Sequence, residues 1–500
     1  MKNFRILLFV VAASLFAACD DAIDIKQPSE LLPEDTFETI ADLQLGLNGV
    51  YGAVGGESAI LFTSIFTDEV RVGVANGGQG VGDGGLSFLL NSNSGSAESI
   101  WVNNYTVINF ANRLILGSQN VEITEEEQGV FNDVIAQARA LRAYAHIQLL
   151  TYFSTDMKDD NAPGVIAVDF VPTTDQKLPR NTNGEVYTLI NSDLDFADAN
   201  LISQSNPART YISKDVITAI RARLAAYRGQ YTEAEGYADL LIAKPTAYGL
   251  ATFGTYNPAN PVNTAANSNY YRVFRDLSVP AAQGEVIFKL DRVSSGSTGN
   301  FYQAWSSVNS STSGGAFFEV STALFNRLAE NDVRRIVVVD PSSYLTGFTV
   351  RPVGKYAGSD NINLLNDVKV FRISEMYLIK AEAMASRGDF AGVAAQINRI
   401  RLARFTNATG RDIATPASAQ EAWAAILNER RVELAFEGHR YIDIKRLGAF
   451  ANAGIDRVNS ECQQFDACSL NLTDHRWTLP VPRAELSANP NIQQNPGYNN

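Results

Sequence analysis

The sequence is poor in the residues that carry covalent and metal chemistry, with three cysteines and three histidines in 500 positions. His146, His439 and His475 are dispersed, and no nucleophile is recognisably placed beside any of them, so histidine-activated nucleophilic catalysis is not indicated. Cationic runs are missing as well. Lys and Arg number 41 against 54 Asp and Glu, a formal net charge of −13, and no basic block is long enough to track phosphates, which argues against nucleic acid as a partner. Long apolar runs are confined to residues 6–18, after Lys2 and Arg5. That stretch is shorter than the ~20 residues of a spanning helix and reads as a secretory signal.

The signal ends Leu15-Phe16-Ala17-Ala18-Cys19, small residues before a cysteine, the pattern of a lipoprotein processing site in which the Cys19 thiol is acylated. An ordinary cut near Ala18 with an incidental cysteine is the alternative. Two or three acyl chains exceed what stable attachment requires, at ~0.8 kcal/mol per buried CH₂, so the mature chain is expected to be tethered to a membrane and not to span it. Asp20, Asp21 and Asp24 give the tether an acidic start. With Cys19 taken, Cys462 and Cys468 remain, and in an oxidising compartment they fit a local disulfide. A metal site using them with His475 lacks a fourth ligand and the short spacing zinc prefers, so no metal is assigned.

What is present is ordinary globular material, 45% hydrophobic and 19% charged. Apolar residues recur at the helical period over residues 36–51, with Asp35 and Thr36 as plausible caps, and over 100–116, 131–152, 185–201, 213–228, 231–243, 373–387, 390–405 and 418–436. Gly229-Gln230-Tyr231 with Ala234, and Gly388-Asp389-Phe390 with Val393, share the inter-helix turn of a tetratricopeptide-like unit, though they lie too far apart for a contiguous array of ~34-residue repeats. A Gly/Asn/Ser-rich stretch, 73–96, reads as a long mobile loop. Residues 245–367 form a loop-rich insertion with brief β-like runs at 286–290 and 336–339. The fold class expected is mainly α: tetratricopeptide-like helix pairs forming a scaffold, with long loops and a few short β-strands. Residues 1–18 are the signal, 19–35 the tether, and 36–215 and 216–500 two parts of one compact unit.

Several linked segments resemble the SusD/RagB family of nutrient-binding outer-membrane lipoproteins. They are Ala138-Arg139-Ala140-Leu141-Arg142-Ala143-Tyr144; Pro179-Arg180 with Glu185-Val186-Tyr187; Arg372-Ile373-Ser374-Glu375-Met376-Tyr377-Leu378 with Ile397-Asn398-Arg399-Ile400-Arg401; Asn428-Glu429-Arg430-Arg431-Val432-Glu433-Leu434-Ala435-Phe436-Glu437-Gly438-His439-Arg440; and the closing Leu479-Pro480-Val481-Pro482 and Gln494-Asn495-Pro496-Gly497-Tyr498. The run after Tyr152 departs from the family's usual Gly and Val-Pro. The resemblance implies a non-catalytic lipoprotein of a Bacteroidetes-type outer membrane, facing outward, that binds oligosaccharide and hands it to a SusC-like TonB-dependent transporter. Such reversible capture needs no cofactor. Oligopeptide in place of glycan is a variant, and a surface glycoside hydrolase or an assembly scaffold are the rivals.

Glu429, Glu433 and Glu437 fall at i, i+4, i+8, a like-charge ladder that costs a few tenths of a kcal/mol per pair on an exposed helix. Partners are therefore expected, with Arg372, Arg401 or Arg440 as candidates for bidentate pairing. The proline-rich terminus is expected to lie as an extended strap over the helices. Ligand contact is assigned to aromatics in or beside loops: Trp101, Tyr270, Tyr271, Phe301, Tyr302 and Trp305. For each, anchoring its loop into the core is the competing role.

Overall fold

The computed structural model describes residues 37–499 apart from 75, 79, 293–315 and 359–364. Cys19, Phe301, Tyr302 and Trp305 lie outside the described residues. Eleven longer helices carry the described fold: α1 (Ile40–Ala53), α2 (Glu57–Phe66), α3 (Gly95–Gly117), α4 (Gln128–Phe153), α5 (Asn183–Asn200), α6 (Lys214–Tyr227), α7 (Tyr231–Ile242), α8 (Ile373–Ser386), α9 (Phe390–Arg404), α10 (Ala419–Glu433) and α11 (Arg440–Ala451). Their starts are set by side chains. Thr39 caps α1 by accepting from the Asp42 N–H while the Asp42 carboxylate takes the Thr39 N–H at 2.9 Å, and Thr182 with Glu185 does the same for α5. The α1 cap is thus Thr39 and not Asp35 or Thr36.

Successive helices pack as pairs, α3 on α4, α4 on α5, α6 on α7, α8 on α9 and α10 on α11. The two tetratricopeptide-like turns are made where Gly229 and Gly388 take left-handed φ values of +73° and +81°, which glycine adopts without a Cβ penalty. Although distant in sequence, the two hairpins become neighbours through α7 against α8, tied by Arg387 to Glu235 at 2.5 Å and Lys380 to Asp239 at 2.6 Å. Tyr231, the turn aromatic, packs on Trp423 of α10 with ring centroids 5.6 Å apart.

Four short strands complete the frame: β1 (Val70–Val72), β2 (Val286–Leu290), β3 (Phe318–Val320) and β4 (Val368–Arg372). β1 pairs antiparallel with β3 (Val70 opposite Val320), and β2 with β4 (Val286 opposite Arg372). The second β-like run is a correction: Arg335–Val338 is one turn of helix. Asp332 starts the turn by accepting from the Arg334 N–H at 2.9 Å, and an apolar run buried on all sides does not distinguish helix from strand. Only Val339 is extended, in an isolated bridge with Val353.

Described residues within 73–96 are pinned where a mobile loop was expected. Leu86 and Phe88 are buried, Phe88 packs on Phe66 at 5.2 Å, and the Arg457 guanidinium stacks 4.4 Å from the Phe88 ring. The C-terminal segment is the expected strap but is extended only in part, with a short helix at Arg483–Ala488: the Leu479 N–H donates to the Tyr152 carbonyl at 2.8 Å, and the Asn495 amide donates to Phe153 and Leu479 carbonyls at 3.0 and 2.7 Å. Arg180, from the Pro179-Arg180 motif, donates to the Asn495 side chain at 2.9 Å.

The glutamate ladder is buried and paired. Glu433 accepts from Arg404 at 2.8 Å, Arg372 at 2.9 Å and Arg334 at 3.3 Å; Glu437 accepts from Arg372 at 2.7 Å and Lys355 at 2.5 Å; Glu429 faces Arg334 at 2.5 Å and Arg401 at 3.5 Å. Arg372 docks as expected, bidentate on Glu437, whereas Arg401 faces Glu429 through a single ion contact and is not bidentate. Arg440 does not dock on the ladder: Phe436 and Gly438, with positive φ, turn the chain after α10, and Arg440 opens α11 facing Asp68 at 2.8 and 2.9 Å.

Beside that pair, buried Glu69 accepts from the Phe436 N–H at 3.0 Å and the Ser64 hydroxyl at 2.8 Å. Burial pushes its carboxyl up to about 7, with the two hydrogen bonds opposing the shift only in part. The folded value lies above the ~4.3 of an unfolded Glu, so the fold holds this proton more tightly. Stability from Glu69 is therefore present at low pH and is lost as pH rises from ~4.3 toward 7. In Glu69→Gln the amide can accept from Phe436 and donate to Ser64, so its melting temperature should gain on that of the parent chain between about pH 5 and about pH 8. A gap that stays constant over that range would refute the assignment.

Candidate functional site

The β1–β3 ladder brings Gly73 and Asn76 against Ala316 and Phe317. Where 73–96 leaves β1, the Gly73 N–H and the Asn76 amide both donate to the Phe317 carbonyl, at 2.9 and 2.6 Å. A Cβ on Gly73 would meet the Ala316 carbonyl oxygen at 2.1 Å, so this approach requires glycine. At the other end of residues 293–315, Arg292 donates to Glu57 at 2.7 Å and to the Val54 carbonyl at 3.0 Å, at the corner between α1 and α2. Phe317 and Arg292, the described residues on either side of the segment holding Phe301, Tyr302 and Trp305, are thus both fixed to the frame.

The other three candidates divide. Trp101, 2% exposed, lies between Tyr105 and Phe153 with ring centroids 4.9 Å away on each side, and its indole N–H donates to Glu485 at 3.3 Å. Tyr270 is fully buried beneath the Arg404 guanidinium, 3.9 Å from its ring. Both are core residues here, and this corrects their assignment to ligand contact. Tyr271, the next residue on the short helix Asn269–Phe274, is half-buried, with its hydroxyl accepting from Arg275 at 3.0 Å.

That helix borders a cleft of about 390 Å³ lined by Val273, Leu277, Val279 and Val286 with Arg209 and Lys289. Arg209 has φ +64°; its N–H donates to Asn206 at 2.9 Å, its carbonyl accepts from the Lys289 N–H at 2.8 Å, and its guanidinium stacks 4.4 Å from the Tyr248 ring. Lys289 reaches Asp367 at 2.5 Å and Asp276 at 3.3 Å, while Lys369 reaches Asp276 at 2.7 Å. Burial raises both carboxyls; for Asp276 the Lys369 and Lys289 ammoniums outweigh it and hold the group below the usual range, whereas Asp367, beside Asp276, stays above it. Asp367 also accepts the Arg292 N–H at 3.0 Å, and Glu285 gives its oxygens to Arg404 and the Ala251 N–H. Asp276, Asp367 and Glu285 are each bound to a cation or an amide.

Among the described residues no group of three His, Cys, Asp or Glu side chains is placed to hold a metal. Cys462 and Cys468 are joined by a disulfide, with Cα atoms 5.0 Å apart. Sequence reasoning overlooked the Arg209 cleft, although Asn206-Pro207 marks a turn there.

Comparison with known proteins agrees with this architecture. A model of the SusD family matches residues 339–498, and one described as "Starch-binding associating with outer membrane" matches residues 20–225. SusD-like protein P2 of Formosa agariphila is 26% identical, with all of both chains covered. The fold is shared with a SusD superfamily protein from Bacteroides thetaiotaomicron (TM-score 0.75, 23% identity, 92% of this chain and 100% of that one) and with a laminarin-binding SusD-like protein (TM-score 0.66, 19% identity, 92% and 100%). With paired helices, few strands among the described residues and family matches toward both ends, the chain belongs to the SusD/RagB family.

Proposed function

We propose that this protein captures oligosaccharide at the outer face of the outer membrane, moored by an acylated Cys19, and delivers it unaltered to a SusC-like TonB-dependent transporter. The observation that carries this reading is the family match toward both ends of the chain, one of the two models being described as starch-binding and associating with the outer membrane. The lipoprotein motif before Cys19 supports the mooring. A non-catalytic role is supported by the engaged state of the Glu429, Glu433 and Glu437 ladder and of Asp276 and Asp367.

Tyr271, Phe301, Tyr302 and Trp305 are the ligand-contact residues of this proposal. Calorimetric titration of the mature chain with the oligosaccharide it retains tests it. Trp305→Ala should weaken binding by ~1–3 kcal/mol, the range of an aromatic hot spot. Unchanged affinity would remove Trp305, and retention of peptides alone would replace glycan with oligopeptide.

A further inference from the structure

Residues 202–212 separate the Arg209 cleft from a second concavity. This groove, about 380 Å³, lies between α1, α4 and that segment and is lined by Gln44, Asn48, Asp133, Gln137, Asn206 and Tyr211. Its volume falls within the ~300–1,000 Å³ of small-ligand sites.

The groove is built on a fixed chain of hydrogen bonds. The Ile212 N–H donates to the Tyr51 hydroxyl at 2.7 Å, which donates to Gln137 at 2.6 Å; the Gln137 amide donates to Asp133 at 2.7 Å, and Asp133 also accepts the Ile202 N–H at 2.8 Å. Both ends of the 202–212 segment are thereby tied to α1 and α4. Burial pushes the Tyr51 hydroxyl up, so it stays a neutral donor. The Tyr211 ring stands edge-on to Tyr51, centroids 5.2 Å apart at 88°, with 45% of the residue exposed. It is a flat face set in place by a half-buried partner.

Around that face the groove supplies amides. Gln44 and Asn48 sit one turn apart on α1, both exposed, and neither side chain takes a hydrogen-bond partner among the described residues. Asn206 spends its carbonyl oxygen on the Arg209 N–H. Asp133 is the one ionisable acid or base lining the groove besides the tyrosine, and both its oxygens are engaged. A flat ring with neutral two-way hydrogen-bonding groups and no cation suits the C–H face and hydroxyls of an uncharged sugar. A uronate or a peptide carboxylate would find no counter-charge.

We infer that this groove is a second saccharide subsite, taking one or two rings of a neutral oligosaccharide. The inference rests on the proposed glycan-binding role. The mature chain is titrated calorimetrically with neutral hexasaccharides of glucose, mannose and xylose, and again as Trp305→Ala so that the groove is read without the proposed loop contact. In both backgrounds Tyr211→Ala should weaken the groove's binding by at least about tenfold, the loss of a stacking face. Tyr211→Phe should retain both the binding and the melting temperature, while Tyr211→Ala, which loses the ring contact with Tyr51, should melt slightly lower yet stay folded at the titration temperature. Parent-like affinity and stoichiometry in Tyr211→Ala would overturn the groove alone. A chain that binds none of the hexasaccharides would overturn the glycan reading itself, and Tyr211-dependent binding of an oligouronate would overturn the assignment to neutral sugar.

Discussion

Glu433→Gln should lower the stability of the fold by about 3–5 kcal/mol, the cost of breaking a buried ion pair by removing one partner. Glu433 is fully buried, and burial alone would raise its carboxyl; Arg404, Arg372 and Arg334 outweigh that and hold it well below the usual range. The glutamine keeps the shape and removes the charge, leaving three buried guanidiniums facing a neutral amide. Glu285 and Glu437 retain part of Arg372, and Glu285 part of Arg404, so the loss falls on shared oxygens and not on one bond. Denaturant melts compared at one pH read the difference. A parent-like midpoint would mean that the ladder is not what fastens α8, α9 and α10 together.

Trp101→Ala carries a loss of similar size. Removing a buried tryptophan costs about 3–5 kcal/mol. Here it empties the space between Tyr105 and Phe153 and strands Glu485 of the C-terminal strap without its indole donor. The effect should appear in the melting temperature, and oligosaccharide affinity measured well below that temperature should be unchanged. Full stability with lost affinity would return Trp101 to the ligand site.

Much of the scaffold is legible in the sequence because helices with one apolar face announce themselves by spacing, and because Gly229 and Gly388 mark turns that need positive φ. The site is less legible. Tyr270 and Tyr271 are adjacent on one short helix, and periodicity says only that they face different ways; which one turns inward depends on Arg404, far along the chain. Arg334 and Arg404 were absent from the expected partners of the glutamate ladder for the same reason. The 336–339 run is wholly apolar, so its spacing carries no period to read. Tyr211 carries no signal of its own in the sequence: it sits in a short polar link between α5 and α6 whose importance comes from Tyr51 and Gln137 on other helices.

The most direct test is to incubate the purified mature chain with a labelled neutral oligosaccharide and measure both the bound fraction and the mass of the sugar recovered afterwards. Saturable binding with the sugar returned at its original mass is the predicted result; shortened products, or no binding by the folded chain, would contradict it.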